Sequence, residues 1–133
     1  MKATVVWESS EDGLGFVGEI DNGRKLKLDG NGKNLSPMEA VLISVGACSS
    51  VDVVEIMRKS RQVMHGCYCE LEAERAESAP RKFTKIHAHF VVQGSDISEK
   101  QLARAVQLST EKYCSVMLML TGNVSITTSF AIQ

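Results

Sequence analysis

The chain has 133 residues, with 15 Lys and Arg against 16 Asp and Glu and a net charge of −1. That balance, with no basic run, excludes the electrostatic footprint of a nucleic-acid binder, and an aromatic share of 5% leaves too few rings for a single-strand stacking surface. An apolar share of 44% supplies a hydrophobic core, and the length predicts one domain over 1–133.

The opening MKATVVWESSEDG has no apolar run of the signal-peptide kind, which predicts a cytoplasmic protein. The β-branched run 3–7 predicts a strand, Ser9 to Gly13 a turn, and Leu14 to Ile20 a second strand. Asp21-Asn22-Gly23 follows, and Asn-Gly predicts a type I′ hairpin turn. Arg24 to Leu28 alternates charge with Leu26 and Leu28, giving a third strand. A loop rich in Gly and Asn then leads to Ser36.

From Ser36 to Ser60 the pattern is helical. Ser36, Pro37 and Glu39 read as N-cap, first helical residue and third residue of a capping box. Met38, Val41, Leu42, Ile43, Val45, Val51, Val53, Val54 and Ile56 cover nearly every direction around the axis. A helix apolar all round is expected to be buried. At 1.5 Å per residue it spans about 36 Å, and Asp52, Glu55, Arg58 and Lys59 make its second half too polar for a membrane span. So much apolar surface is more than one small chain covers, which predicts a homodimer. Gly46, Ala47, Cys48, Ser49 and Ser50 thin the helix midway, leaving room for a close neighbour or a substrate.

Beyond the helix, Cys67 to Ala76 alternates, with Cys67, Cys69, Leu71 and Ala73 inward. Phe83 to Val92 alternates again, with Ile86, Ala88, Phe90 and Val92 inward and Lys85, His87 and His89 outward; the two runs predict a hairpin turned at Ser78-Ala79-Pro80. Ser98 and Gln101 form a second capping box, with Ile97 and Leu102 as its hydrophobic staple. Leu102, Ala105, Val106, Ser109 and Tyr113 then give a helical stripe. Ser115 is placed to cap a short helix, VMLMLT, ended by Gly122, and Val124 to Ile132 is a last strand. The order βββ-α-ββ-α-α-β predicts an α+β fold with mostly antiparallel sheet rather than a parallel βαβαβ array.

Four cysteines, at 48, 67, 69 and 114, are too sparse for a disulfide framework and read as reduced thiols. Taken alone, Cys48 reads either as a buried core thiol or as a nucleophile, and the second role needs a positive group near it because Asp52 lies one turn along. If Ser115 is a cap, Cys114 sits beside a helix N-terminus, where a thiolate is favoured; the other reading is a core thiol packed against Tyr113 and Met117. Cys67 and Cys69 read as core filling. A zinc set drawn from His65, Cys67, Cys69, His87 and His89 has poor spacing, so no metal and no cofactor are expected, and His87 and His89 read as a solvated strand face. Met57, Met64, Met117 and Met119 read as core, with a Met-lined pocket near Cys114 as the other reading.

Two segments, SPMEAVLISVGACSSVDVV around Cys48 and EKYCSV around Cys114, together with PRKFTKIHAHFVVQG at 80–94, resemble the OsmC/Ohr family of osmotically inducible and organic-hydroperoxide-resistance proteins, in particular its YhfA-like branch. The resemblance spans the whole chain. It implies an intertwined homodimer whose sheets wrap on paired long central helices. It further implies Cys48 as the peroxidatic cysteine and Cys114 as the resolving one, with an organic hydroperoxide as substrate and a dithiol as reductant. In the hydroperoxidase branches a Glu directly follows the Pro; here Met38 takes that place and Glu39 comes next, about 100° round the helix. Those branches also pair an N-terminal arginine with the thiolate; Arg24 and Arg81 are the candidates here. The competing reading is a dimer on the same fold that binds a small apolar ligand without catalysis.

Overall fold

The structure, a computed structural model, describes residues 1–9 and 13–133. Most of the turn expected over Ser9 to Gly13 therefore lies outside the described residues. The chain forms two compact units, Met1–Val41 and Leu42–Gln133.

The first unit is a meander of β1 (Ala3–Trp7), β2 (Gly15–Ile20) and β3 (Lys25–Asp29), all antiparallel. Its hairpin differs from the expected type I′. Ile20 N–H donates to Arg24 O (3.1 Å), Gly23 N–H donates to Ile20 O (2.8 Å), and Gly23 has φ +82° while Asn22 stays at negative φ. This is a three-residue loop closed by a left-handed glycine. Asp21 joins the loop because its carboxylate also accepts from Lys2 N–H at 3.1 Å. After β3, buried Asp29 pins the Gly/Asn loop: its Oδ1 accepts from Asn31 N–H at 2.6 Å, and its own N–H donates to Leu35 O at 2.9 Å.

Helix α1 (Pro37–Lys59) starts at the end of the first unit and runs on into the second. Its capping box closes both ways. Glu39 N–H donates to Ser36 Oγ at 3.1 Å and Ser36 N–H donates to Glu39 Oε2 at 2.7 Å. Only one stripe of α1 is buried, made by Val45, Gly46, Ser49, Val53 and Met57. Burying Val45, Val53 and Met57 is worth roughly 1.5–3 kcal/mol each. The opposite face stays open, with Ile43 53% and Val51 60% exposed. The expectation of a helix buried all round is therefore not met within a single chain. Contrary to the reading from its charges, the most apolar 18 residues of α1, with mean hydropathy 1.8, meet the length and composition of a membrane span. The buried stripe and the open apolar face are also those of a core helix with one side uncovered.

In the second unit, β4 (Val63–Arg75) and β5 (Phe83–Ser95) form a long antiparallel hairpin, and β6 (Ser125–Ile132) joins the far side of β5. β6 runs parallel to β5, from Lys85↔Ser125 to Val92↔Ile132. One βαβ crossover thus sits in a fold expected to be mostly antiparallel, and α2 (Glu99–Leu108), a π-turn (Ser109–Tyr113) and α3 (Ser115–Leu120) form its connection. A parallel neighbour needs such a connection of a dozen or more residues, and the segment between β5 and β6 supplies it. Ile86, Ala88, Phe90 and Val92 of β5 are buried, as the alternation predicts.

The α2 cap is half as expected. Ser98 Oγ accepts from Gln101 N–H at 3.3 Å, but Ser98 N–H donates to Gln62 Oε1 at 2.8 Å instead of to Gln101. The stripe Leu102, Ala105, Val106 and Ser109 is buried, whereas Tyr113 is 49% exposed. The π-turn explains the difference: its extra residue breaks the 3.6-residue period just after Ser109.

Candidate functional site

The site grows out of the small-residue run of α1. A Cβ at Gly46 would stand 2.7 Å from Leu71 Cδ1, so the gap admits a β4 side chain. Ser49 is fully buried and its hydroxyl donates to Val45 O at 2.7 Å. Its carbonyl accepts from Ser109 Oγ at 3.3 Å. On its buried face the thinning is thus filled by Leu71 and Ser109, while Ala47 is exposed. Cys48, between these residues, is half-buried.

Cys114 ends the π-turn, where its N–H donates to Ser109 O at 2.8 Å. It is itself the N-cap of α3, with extended backbone, and its Sγ accepts from Met117 N–H at 3.4 Å. The expected cap, Ser115, is the first residue of the helix. Cys48 lies near enough to Cys114 to act on its ionisation. All four cysteines are free.

The electrostatics of Cys114 reverse the expectation from its helix N-terminus. Burial is the largest influence and pushes its thiol up to about 11, and Cys48 adds to the rise. The Met117 and Val116 N–H groups pull the other way and do not prevail. Cys114 is completely buried, and an anion loses more hydration there than two N–H groups return. Cys114 therefore keeps its proton at neutral pH. Cys67 and Cys69 share the half-buried face of β4. Burial raises both, Cys69 to about 11 with added repulsion from Cys67 and Glu70.

Ser109 and Asp52 complete the centre. Ser109 is fully buried and its hydroxyl donates to Asp52 Oδ2 at 2.9 Å. Asp52 follows Cys48 by one turn of α1, and Ser109 closes the π-turn that carries Cys114. The sequence gives one signal for Ser109: a hydroxyl at a buried stripe position, which must find a partner inside.

Each remaining candidate has its own local setting. Arg24 is exposed on the β2–β3 hairpin of the first unit. Arg81 Nε donates to Ala76 O at 3.2 Å in the β4–β5 turn. Glu39 is exposed, and its hydrogen bonds with the Ser36 backbone and side chain hold its carboxyl below the usual range, the behaviour of a cap. Met57 and Met117 are core residues, and Met119 is exposed. His87 and His89 do more than face solvent: His87 shares hydrogen bonds with Thr127 Oγ1 (2.7 Å) and Ser129 Oγ (2.8 Å), and His89 with Ser129 Oγ (2.7 Å). The parallel β6 puts those hydroxyls opposite the imidazoles. Among the described residues no three His, Cys, Asp or Glu side chains are grouped to hold a metal ion.

Residues 30–129 match the model of the family described as OsmC-like protein. The chain is 48% identical to Protein YhfA of Escherichia coli (strain K12), covering 99% of this chain and 98% of that one. A solved hypothetical protein from Aquifex aeolicus VF5 is similar at 33% identity and TM-score 0.86, over 100% of this chain and 97% of that one. A solved organic hydroperoxide resistance protein OsmC from Legionella pneumophila shares the fold, with TM-score 0.72 at 15% identity over 98% and 97% of the two chains.

Proposed function

The chain belongs to the OsmC-like family, and from that premise we propose that it is a thiol-dependent peroxidase for organic hydroperoxides, with Cys48 as nucleophile and Cys114 as resolving thiol. The observation that carries this reading is that a half-buried Cys48 lies near a fully buried Cys114, close enough to act on its ionisation. The Cys48 thiolate attacks the terminal oxygen of the hydroperoxide, the O–O bond breaks, and the alkoxide leaves with a proton as the alcohol. Cys48 becomes a sulfenic acid, oxidised by two electrons. The Cys114 sulfur then attacks that sulfur, its proton leaves with the sulfenic oxygen as water, and a disulfide forms. A dithiol returns the pair to thiols by exchange and leaves as its own disulfide. Burial raises Cys67 and Cys69 and so disfavours their own thiolates.

The same proposal includes a homodimer, supported by the open apolar face of α1, and a reducing cytoplasmic setting, in which four free cysteines persist. A second reading, a protein that binds a small apolar ligand, has its own support: a cleft of about 210 Å³ in the first unit, lined by Val5, Leu14, Phe16, Leu28 and Pro37.

Peptide mass spectrometry after one equivalent of cumene hydroperoxide tests the chemistry. We expect a Cys48–Cys114 disulfide in the wild type, no peroxide consumption by Cys48→Ser, and in Cys114→Ser a Cys48 sulfenic acid that a second equivalent carries to the sulfinic acid. Oxidation that starts at Cys67 or Cys69 while Cys48 stays a thiol overturns the peroxidase reading in favour of the ligand-binding one.

A further inference from the structure

We propose that Ser109, anchored on Asp52, is a positioning residue that holds Cys114 against Cys48 and so sets how readily the two sulfurs join; the proposal takes its catalytic meaning from the peroxidase reading above. Ser109 makes three connections at once. Its hydroxyl donates to Asp52 Oδ2 at 2.9 Å and leans on Ser49 O at 3.3 Å, both on α1. Its carbonyl accepts the Cys114 N–H at 2.8 Å, the bond that closes the π-turn. Ser49 and Asp52 follow Cys48 by one and four residues, so a short hydrogen-bonded loop, Asp52–Ser109–Cys114, ties the turn that carries Cys114 to the α1 segment that carries Cys48. The α1 end of that loop is a helix backbone packed into the core, and the other end is a turn with one residue more than an α-helix holds.

That arrangement matches what disulfide formation needs. The sulfurs must close to about 2.05 Å with the Cα atoms within about 7 Å. A π-turn, whose insertion costs regular hydrogen bonding, would drift toward other helical geometries if nothing outside it held it. The buried hydroxyl is that hold, and a hydrogen bond to a carboxylate is among the stronger ones a neutral side chain makes. Without it Cys114 samples more positions, and its effective concentration at Cys48 falls.

The equilibrium between the two protein thiols and oxidised glutathione measures this directly. Each protein disulfide formed releases two glutathione thiols, so the balance reads the effective concentration of Cys114 at Cys48. Diamide supplies a rate for the same closure without peroxide: it takes two electrons and two protons from the thiols and becomes a hydrazine. We expect Ser109→Ala to lower the effective concentration and the diamide rate by roughly tenfold or more, the weight of a buried hydrogen bond to a charged group. Ser109→Thr, which keeps the hydroxyl, restores most of both. Asp52→Asn keeps the shape and an acceptor, so it falls between and serves if Ser109→Ala does not fold.

Ser109→Ala or Asp52→Asn matching the wild type in both readouts overturns the inference, as does a wild type that forms no Cys48–Cys114 disulfide with diamide. A wild type that closes the disulfide with diamide yet leaves cumene hydroperoxide intact supports the positioning role and overturns the peroxidase reading, so the two failures are distinguishable.

Discussion

Cys114 shows how burial and hydrogen bonding compete at one sulfur. As the N-cap of α3 it receives the Met117 N–H at 3.4 Å, an arrangement that favours an anion. Yet it is fully buried and its thiol rises to about 11. The consequence for stability has a definite sign. In the unfolded chain the thiol ionises near its ordinary value, about 8.5. Below that pH both states hold the proton and the folded state keeps its full advantage. Between about 8.5 and 11 the unfolded chain releases the proton first, so stability falls as pH rises. The loss is on the order of 3 kcal/mol. Melting temperatures followed from pH 7 upward should therefore decline above pH ~9, and Cys114→Ala should decline less. Cys69, also raised to about 11 by burial, leaves a residual slope in that variant.

At the scale of elements, two glycines separate tolerated from forbidden close packing. A Cβ on Gly94 would lie 2.2 Å from the Val63 carbonyl oxygen and 2.6 Å from Ile97 Cδ1. The carbonyl belongs to the β4 backbone and cannot swing away. Gly94→Ala should destabilise by about 1–3 kcal/mol, seen as a lower midpoint in urea with an unchanged slope. Gly46→Ala meets only the movable end of Leu71, at 2.7 Å. Alanine also gains up to about 1 kcal/mol of helix propensity. Its midpoint should stay close to the wild-type value, and a loss as large as that of Gly94→Ala would contradict the fitted gap.

The same scale shows what could be read from residues alone. Helix α1 was legible because Ser36, Pro37 and Glu39 are local signals and the capping box forms from them. The alternation of β5 was legible for the same reason, and that of β4 as far as Leu71, while Ala73, expected inward, is exposed. The failures sit where a distant group decides. Gln62 takes the Ser98 N–H that Gln101 was expected to hold. Ser109 finds Asp52 across 57 residues, and the π-turn that follows moves Tyr113 out of its stripe and the cap from Ser115 to Cys114. The parallel direction of β6 is likewise set by what it packs beside, since alternation reads the same in either direction. For the proposed site, Cys48 and Cys114 stood out through the motifs around them, and the Ser109–Asp52 hydrogen bond was not legible.

At the scale of the whole molecule the uncovered apolar surface is the feature a partner must answer. The open face of α1 is a strip about 35 Å long and 10 Å wide, roughly 350 Å². A stable interface needs about 800 Å² from each partner, so α1 alone is too small. The first unit adds its own exposed apolar side chains, among them Val5, Val6, Trp7 and Leu26. Each unit thus carries exposed apolar side chains of its own, and a second copy of the same chain is the partner we expect for them. Light scattering on the wild type at micromolar concentration should therefore give twice the chain mass. Val51→Lys, at a position 60% exposed, places a charge on the open face without disturbing the buried stripe. It should give a folded monomer with wild-type helix content. Val45→Asp, at a fully buried position, should instead fail to fold, because a carboxylate buried without a partner costs more than the fold can offset. A wild type that is monomeric, or a Val51→Lys variant that remains a dimer, would remove α1 from the interface.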